Sequence, residues 1–189
     1  PALAEHGAEL VRQRRAWAAA RSAEFAAQCA AIGERAAPSL AYASPLAEAD
    51  DVRDALHAQL ERQREHDVRR ALTHAGPHRD DLMLALDGRD LRVVGSAGQQ
   101  RTAAIVLRLL EAATHRDAAG VTPLLLLDDP FAELDRGRTG RILTLLEAVG
   151  TGQVVLCVPR EDEIPEQYTR LARWRVRDGR FAADGTAAR

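Results

Sequence analysis

The segment Gly95-Ser96-Ala97-Gly98-Gln99-Gln100-Arg101-Thr102 concentrates residues that could do chemistry. Its glycines permit close backbone approach, and Ser96 with Gln99 has the spacing of a capping box that starts a helix. Two readings are open on this segment alone. In one, a serine cap begins an ordinary helix. In the other, the free backbone N–H groups and the positive end of the helix dipole form an anion site, with the Ser96 hydroxyl as an extra donor.

A second segment, Leu124 to Asp135, reads LLLLDDPFAELD. Two carboxylates where a buried strand emerges lie where open α/β sheets place their ligands. Aspartate is a hard oxygen ligand suited to Mg²⁺, or a base able to polarise water. If the strand continues through Asp128 and Asp129, the two point in different directions, so one could serve a metal and the other an attacking water. A pair of turn or helix-capping aspartates is the competing reading.

The elements that must position these residues follow from periodicity. Leu3, Leu10, Trp17, Phe25, Cys29 and Ile32 keep one side of a helix apolar from Leu3 to Ile32. A second helix is expected from Ala49 to Leu72, with Val52, Leu56, Leu60, Val68 and Leu72 as its stripe, packed antiparallel on the first after a Pro38–Pro45 loop. After Gly76-Pro77 the period becomes alternating. Leu82, Leu84 and Leu86, then Asp87-Gly88, then Leu91 and Val93, predict a β-hairpin.

A helix from Ala97 to His115 follows, then a parallel strand at Leu124–Leu127 buried on both faces. The remaining expectations are a helix from Arg138 to Val149, a strand from Gln153 to Val158, a helical turn near Glu161–Leu171, a hairpin at Asp178-Gly179 and fraying after Phe181. Strand, helix, strand in that order implies parallel α/β.

Composition narrows the function classes. The chain has 189 residues, 26 basic and 28 acidic, for a net charge of −2, which argues against a strongly basic DNA-coating protein. All the basic side chains other than histidine are arginines, so no P-loop lysine or Schiff-base lysine is present. Cys29 and Cys157 stand far apart and the histidines form no ligand cluster, which points away from a disulfide framework or structural zinc and towards a reducing, cytoplasmic setting. The aliphatic run is too short to span a bilayer. A chain that begins at Pro1 and enters a helical pattern at once is expected to be a piece of a longer protein.

Taken together, the Ser-Ala-Gly-Gln-Gln helix start, the hhhhDD strand about thirty residues later and Ala132-Glu133-Leu134-Asp135 resemble the signature motif, Walker B strand and D-loop of ABC ATPase heads. More narrowly, Gly76-Pro77-His78-Arg79-Asp80-Asp81-Leu82 and Gly95–Thr102 resemble the C-terminal part of the RecF family. The segment Glu5 to Arg15 resembles the helical arm of that family. The resemblance implies an α/β fold: a partial ABC-type P-loop NTPase head over residues 75–189 with an α-helical arm over residues 1–74. It implies that Ser96, Gly98 and Gln99 face the γ-phosphate of ATP on a partner head. Asp128 would hold Mg²⁺ through water, Asp129 would orient the attacking water, and Asp135 would sit between the heads.

The same resemblance implies a protein that binds duplex DNA next to single-strand gaps, forms a homodimer on ATP, and works with RecO and RecR to load RecA in recombinational repair and replication restart. An SMC- or Rad50-like head shares the signature and Walker B logic, but its coiled coil would be long and these arm helices are short. A non-catalytic interaction module with the ATPase shape is the other alternative. His78 and Arg79 fit a local turn or a nucleotide or DNA contact. Arg170, Arg173, Arg175, Arg177 and Arg180 concentrate basic charge near the C-terminus, with Arg173, Arg175 and Arg177 on one hairpin face opposite Trp174 and Val176.

Two features depart from the family pattern. No GxxxxGK[ST] exists, so the half-site that grips the α- and β-phosphates is missing. Pro159-Arg160 follows the strand where ABC heads often carry a switch histidine and RecF-like chains a hydroxyl residue, and Ala132 stands where many D-loops have serine. A helix terminus gives up to about 2 kcal/mol towards an anion and one hydroxyl hydrogen bond about 1 kcal/mol. Together they fall short of the roughly 4.1 kcal/mol of a millimolar complex, so these residues alone are expected neither to bind nor to hydrolyse Mg-ATP.

Overall fold

A computed structural model describes residues 2–150, 152–166, 168 and 171–183. The chain opens with a long helix, α1 (Ala2–Ile32), and Gly33 ends it with φ +104°, a conformation that glycine adopts without strain. Strand β1 (Pro38–Ala43) and helix α2 (Val52–Arg70) follow, the latter capped by Asp51, whose side chain accepts from the Asp54 amide. A one-turn 3₁₀ segment at Pro77–Arg79 leads to β2 (Asp81–Leu86) and β3 (Arg89–Asp90). The single turn α3 (Leu91–Val94) precedes α4 (Ala97–Ala119), β4 (Leu125–Asp128), α5 (Arg136–Ala148), β5 (Val154–Cys157) and a final hairpin, β6 (Trp174–Arg177) with β7 (Arg180–Ala183).

The sheets are small. β1, β2 and β3 form an antiparallel sheet, with Pro38 opposite Leu86 and Ala43 opposite Asp81. β4 and β5 pair in parallel across the α5 crossover, Leu125 beside Val154 and Asp128 beside Cys157. The main core gathers Phe25, Cys29 and Ile32 of α1, Leu40 of β1, Leu109 and Leu110 of α4, Leu125 and Leu127 of β4, and Ile142 and Leu146 of α5. A second cluster joins Ala4, Ala8 and Val11 of α1 to Leu46, Val52 and Leu56. Helix α1 thus belongs to both cores.

Several expectations need correction. The Pro38–Pro45 stretch is not merely a loop: Leu40 is buried and the segment pairs with β2, and Pro38 is tolerated because it is the first strand residue. Beyond the Asp87-Gly88 turn, whose two positive φ values of 49° and 75° match a type I′ connection, the second strand is only two residues long. Leu91 and Val93 lie in α3, because the Asp90 carboxylate caps that turn through the Arg92 amide.

The apolar face of α1 also shifts. Leu3 and Leu10 are exposed, and Ala4, Gly7, Ala8 and Val11 are buried. A Cβ on Gly7 would come within 2.6 Å of Leu56 Cδ2, so α2 approaches a surface of small residues on which leucines would not fit. The strand at Leu124–Leu127 is covered on one face only. Leu125 and Leu127 are buried whereas Leu126 is 66% exposed, because the helices that pack on this two-stranded sheet fill a single side.

The region expected to be helical after Glu161 keeps only a 3₁₀ turn at Glu161–Glu163. Part of that stretch, including Arg170, lies outside the described residues. Ala182 and Ala183, expected to fray, are paired with Arg175 and Trp174, and the tail beyond them lies outside the described residues. Among the described residues no helix is long and apolar enough to cross a membrane.

Leu109 is fully buried where α4 meets the rest of the main core. Leu109→Ala should lower stability by about 3 kcal/mol, read from the midpoint shift in a urea titration.

Candidate functional site

The start of α4 is built as its sequence requires. Ser96 Oγ accepts from the Gln99 amide at 3.3 Å and Gln99 Oε1 accepts from the Ser96 amide at 2.9 Å, a complete capping box. Ser96 is exposed and Gly98 and Gln99 are half-buried. Thr102 Oγ1 donates back to the Gly98 carbonyl at 2.8 Å and accepts from Arg138 Nη1 at 3.2 Å.

Strand β4 ends at Asp128, which is exposed. Asp129 does not continue it: φ is +46°, and its amide donates to the Cys157 carbonyl at 2.8 Å. The alternation expected from a strand running through both carboxylates therefore stops at Asp128, and a left-handed residue aims the second. Aspartate tolerates this conformation at modest cost. Neither carboxylate makes a hydrogen bond or an ion pair to a described residue. Among the described residues no group of three or more His, Cys, Asp or Glu side chains could hold a metal ion. One or two carboxylates without further protein ligands suit Mg²⁺, which keeps several waters and takes its remaining ligands from phosphates.

The chain then turns back against α4. A Cβ on Gly98 would lie 2.8 Å from the Glu133 carbonyl oxygen and 3.7 Å from Leu134 Cδ2, so the loop 131–135 rests on the one residue of the helix start that lacks a side chain. Asp135 caps α5, its Oδ1 accepting from the Arg138 amide at 2.8 Å and its Oδ2 lying 3.8 Å from Arg138 Nε, with most of the side chain exposed. The fold thus joins Gly98 to the Glu133–Asp135 loop. No hydrogen bond or ion pair between described residues links Ser96 to Asp128 or Asp129.

Sequence reasoning missed a third layer. Glu34, just past the end of α1, has a side chain only 5% exposed. Its Oε1 accepts from the amides of Arg35 at 2.9 Å and Ala36 at 3.0 Å, and from Gln99 Nε2 at 3.1 Å. Its Oε2 lies 3.5 Å from Arg138 Nη2 and has no hydrogen-bond donor. Burial pushes this carboxyl up, but the donated hydrogen bonds and the Arg138 charge outweigh it and hold it below the usual carboxylate range. A glutamate after a helix-ending glycine gives no periodic signal, so only the packing reveals it.

The Gly76–Asp81 segment is a built turn. Arg14 Nη1 donates to the Pro77 carbonyl at 2.6 Å, the Tyr42 hydroxyl donates to Asp80, and His78 Nε2 meets the Thr73 carbonyl at 2.9 Å. Arg79 is exposed. On the final hairpin, Arg175 and Arg177 share a face with Arg180 and Ala182, opposite Trp174, Val176 and Phe181. Glu161 pairs with both Arg173 at 3.0 Å and Arg175 at 2.8 Å, which offsets part of that positive charge.

These segments can be set beside known proteins. No protein-family model matches the chain. The DNA replication and repair protein RecF of Symbiobacterium thermophilum is 37% identical over 191 residues, covering 96% of this chain and 50% of that protein. The protein of the same description from Roseiflexus castenholzii is 40% identical over 147 residues, covering 75% of this chain and 37% of its own length. The chain belongs to the RecF family. It spans about half the length, or less, of the curated RecF relatives it matches.

A solved structure of the recombination mediator protein RecF with ATP, in the RecFOR pathway, superimposes with a TM-score of 0.72 at 27% identity, covering 97% of this chain and 48% of that one. An SMC head bound to the C-winged helix domain of ScpA gives 0.54 at 16% identity, which shows the fold alone. The architecture is therefore a mixed α/β fold that matches part of the RecF and SMC ATPase heads.

Gly98→Ala should force the 131–135 loop away from α4, since a backbone carbonyl cannot yield as a flexible side chain can. The expected cost is about 1–3 kcal/mol, with faster amide exchange at Glu133–Asp135 than in the parent by hydrogen-exchange mass spectrometry.

Proposed function

We propose that this chain is the arm-and-signature part of a RecF-type ATP-dependent DNA-binding protein, in which two heads close on ATP. The observation that carries the proposal is the seating of the 131–135 loop on Gly98, beside a capped and exposed helix start. It makes one unit of two segments that each resemble a piece of an ABC-type head. In this reading residues 1–74 are the arm and 75–189 the signature-bearing part, joined through α1 and the β1–β2 ladder.

Each residue has a task in that arrangement. Ser96 and the amides at the start of α4 donate to the γ-phosphate of ATP held by the opposing head, where the helix dipole favours negative charge. Gly98 and Gln99 keep that donor surface open and aligned. Asp128 holds Mg²⁺ through water, and the ion, when bound, neutralises phosphate charge. Asp129, left-handed at the strand end, orients a water towards the γ-phosphate. Asp135 fixes α5 and, paired with Arg138 yet largely solvent-exposed, presents its carboxylate to the partner head.

The α- and β-phosphates need a lysine-bearing loop that this lysine-free sequence does not contain. The exposed side of β4 and β5, with Leu126 and Val155, suits a further polypeptide layer carrying that loop. The family's repair role then extends to this chain: DNA at junctions of duplex and single-strand gap, a homodimer on ATP, and cooperation with RecR and RecO in loading RecA. The Arg175, Arg177 and Arg180 face is a candidate for phosphate contact, and its affinity for DNA should fall steeply with salt.

Turnover decides whether the acids work as assigned. In the full-length protein Asp129→Asn should reduce ATP hydrolysis by about 100-fold while leaving nucleotide binding in place; rates equal to the parent would favour a non-catalytic interaction module. The 189-residue chain alone should show no ATP binding by calorimetry at micromolar concentration, because its donors are too few.

A further inference from the structure

We propose that Glu34 is a positioning residue that fixes the orientation of the Gln99 side chain, and through it the Ser96 amide, from the end of the arm helix. The proposal rests on the reading of the α4 start as a nucleotide-facing site.

The two ends of one carboxamide have different partners. Gln99 Oε1 accepts from the Ser96 amide at 2.9 Å, and Gln99 Nε2 donates to Glu34 Oε1 at 3.1 Å. Rotating this amide by half a turn would set its NH₂ against the Ser96 N–H and its oxygen against a carboxylate. Both contacts are repulsive, so an acceptor at Glu34 selects the rotamer that completes the capping box. Without it, Gln99 Nε2 would face water and the box would hold only by its own two bonds.

Glu34 is itself held from several directions. Its Oε1 is fixed by the Arg35 and Ala36 amides, and Gly33, just before it, has φ +104° with Arg141 Nη2 2.6 Å from the place a Cβ would occupy. Arg141 Nε also donates to the last α1 carbonyl, Ile32, at 2.6 Å. The charged and titratable groups that act on the carboxylate are Arg138 of α5 and Cys29 of α1, whose thiol burial pushes up to about 12 with a further rise from Glu34. The Oε2 atom is buried and 3.5 Å from Arg138 Nη2, whose Nε lies 3.8 Å from Asp135 Oδ2, so one guanidinium stands between the two carboxylates. The end of α1 is thereby joined to the start of α4 through Gln99 and to α5 through Arg138 and Arg141.

Three measurements test this. In the 189-residue chain, the Ser96 backbone amide and the Gln99 side-chain amide should shift together in NMR spectra as pH falls through one transition below the ordinary glutamate range. Glu34→Gln should abolish that transition. In the full-length protein, Glu34→Ala should weaken ATP-dependent dimerisation by about tenfold with nucleotide affinity of the monomer unchanged. Glu34→Gln, which retains an acceptor oxygen at the same place, should stay within about twofold of the parent. Unlinked titrations, or dimerisation by Glu34→Ala equal to the parent, would overturn the role of Glu34. Ser96→Arg separates the two levels of inference: if it too dimerises normally the site reading fails, whereas if it alone blocks dimerisation only the coupling fails.

Discussion

The start of α4 and the start of α5 are both tied to the place where α1 ends. The helix spans both cores, buries Phe25, Cys29 and Ile32 in the larger one, and stops at a glycine whose backbone conformation turns the chain under α4 and α5. Arg141 holds the last carbonyl of the helix, and Glu34 reaches the α4 start within two residues of the end. A helix terminus leaves several carbonyls without intrahelical partners, and here an arginine from another element satisfies one of them. The same contact that finishes α1 therefore holds α5 against the end of that helix. The arm and the α/β portion are joined by this end and by the β1–β2 ladder, which crosses from one to the other.

Local chemistry was most legible where a few adjacent residues decide the backbone. Ser96 and Gln99 announced their capping box, Asp87-Gly88 its turn, and the Leu124–Leu127 run its strand, because each depends on neighbours in sequence. What escaped was set by neighbours in space. Leu3 and Leu10 fit a helical stripe as well as the alanines do, and only the approach of Leu56 towards Gly7 decides which face is covered. The Pro38–Ala43 strand was hidden by its flanking prolines and exists because β2 offers it a ladder. Asp129 leaves the strand as soon as its amide reaches the Cys157 carbonyl, a bond made across the parallel pair and invisible in the order of residues.

Exposure carries its own information about the two small sheets. Leu126, at 66%, and Val155, at 40%, lie on the bare side of a parallel pair, an arrangement seldom left open to water because parallel sheets are normally covered on both faces. The final hairpin shows a second uncovered face in Trp174, Val176 and Phe181. An isolated two-stranded hairpin is marginal in water, so such a face gains most from a neighbour. Both bare surfaces occur in a chain that spans about half of its relatives.

The lack of lysine also fixes the style of the chemistry. An ammonium on a flexible stem can follow a moving phosphate, but backbone amides and a capped hydroxyl can only present a fixed surface. Such a surface is useful when something rigid is brought to it, and useless for capturing a ligand from solution. Rigidity at the α4 start is accordingly built from behind. Thr102 bonds the first turn, Gly98 seats the loop carrying Asp135, Arg138 spans Thr102 and the edge of Glu34, and the Glu34 carboxylate orients Gln99. Each of these groups is partly or wholly removed from water, whereas Ser96 itself is left exposed. The exposed hydroxyl costs little to maintain because the buried polar network behind it has already restricted the backbone, which is how a few weak donors come to act together.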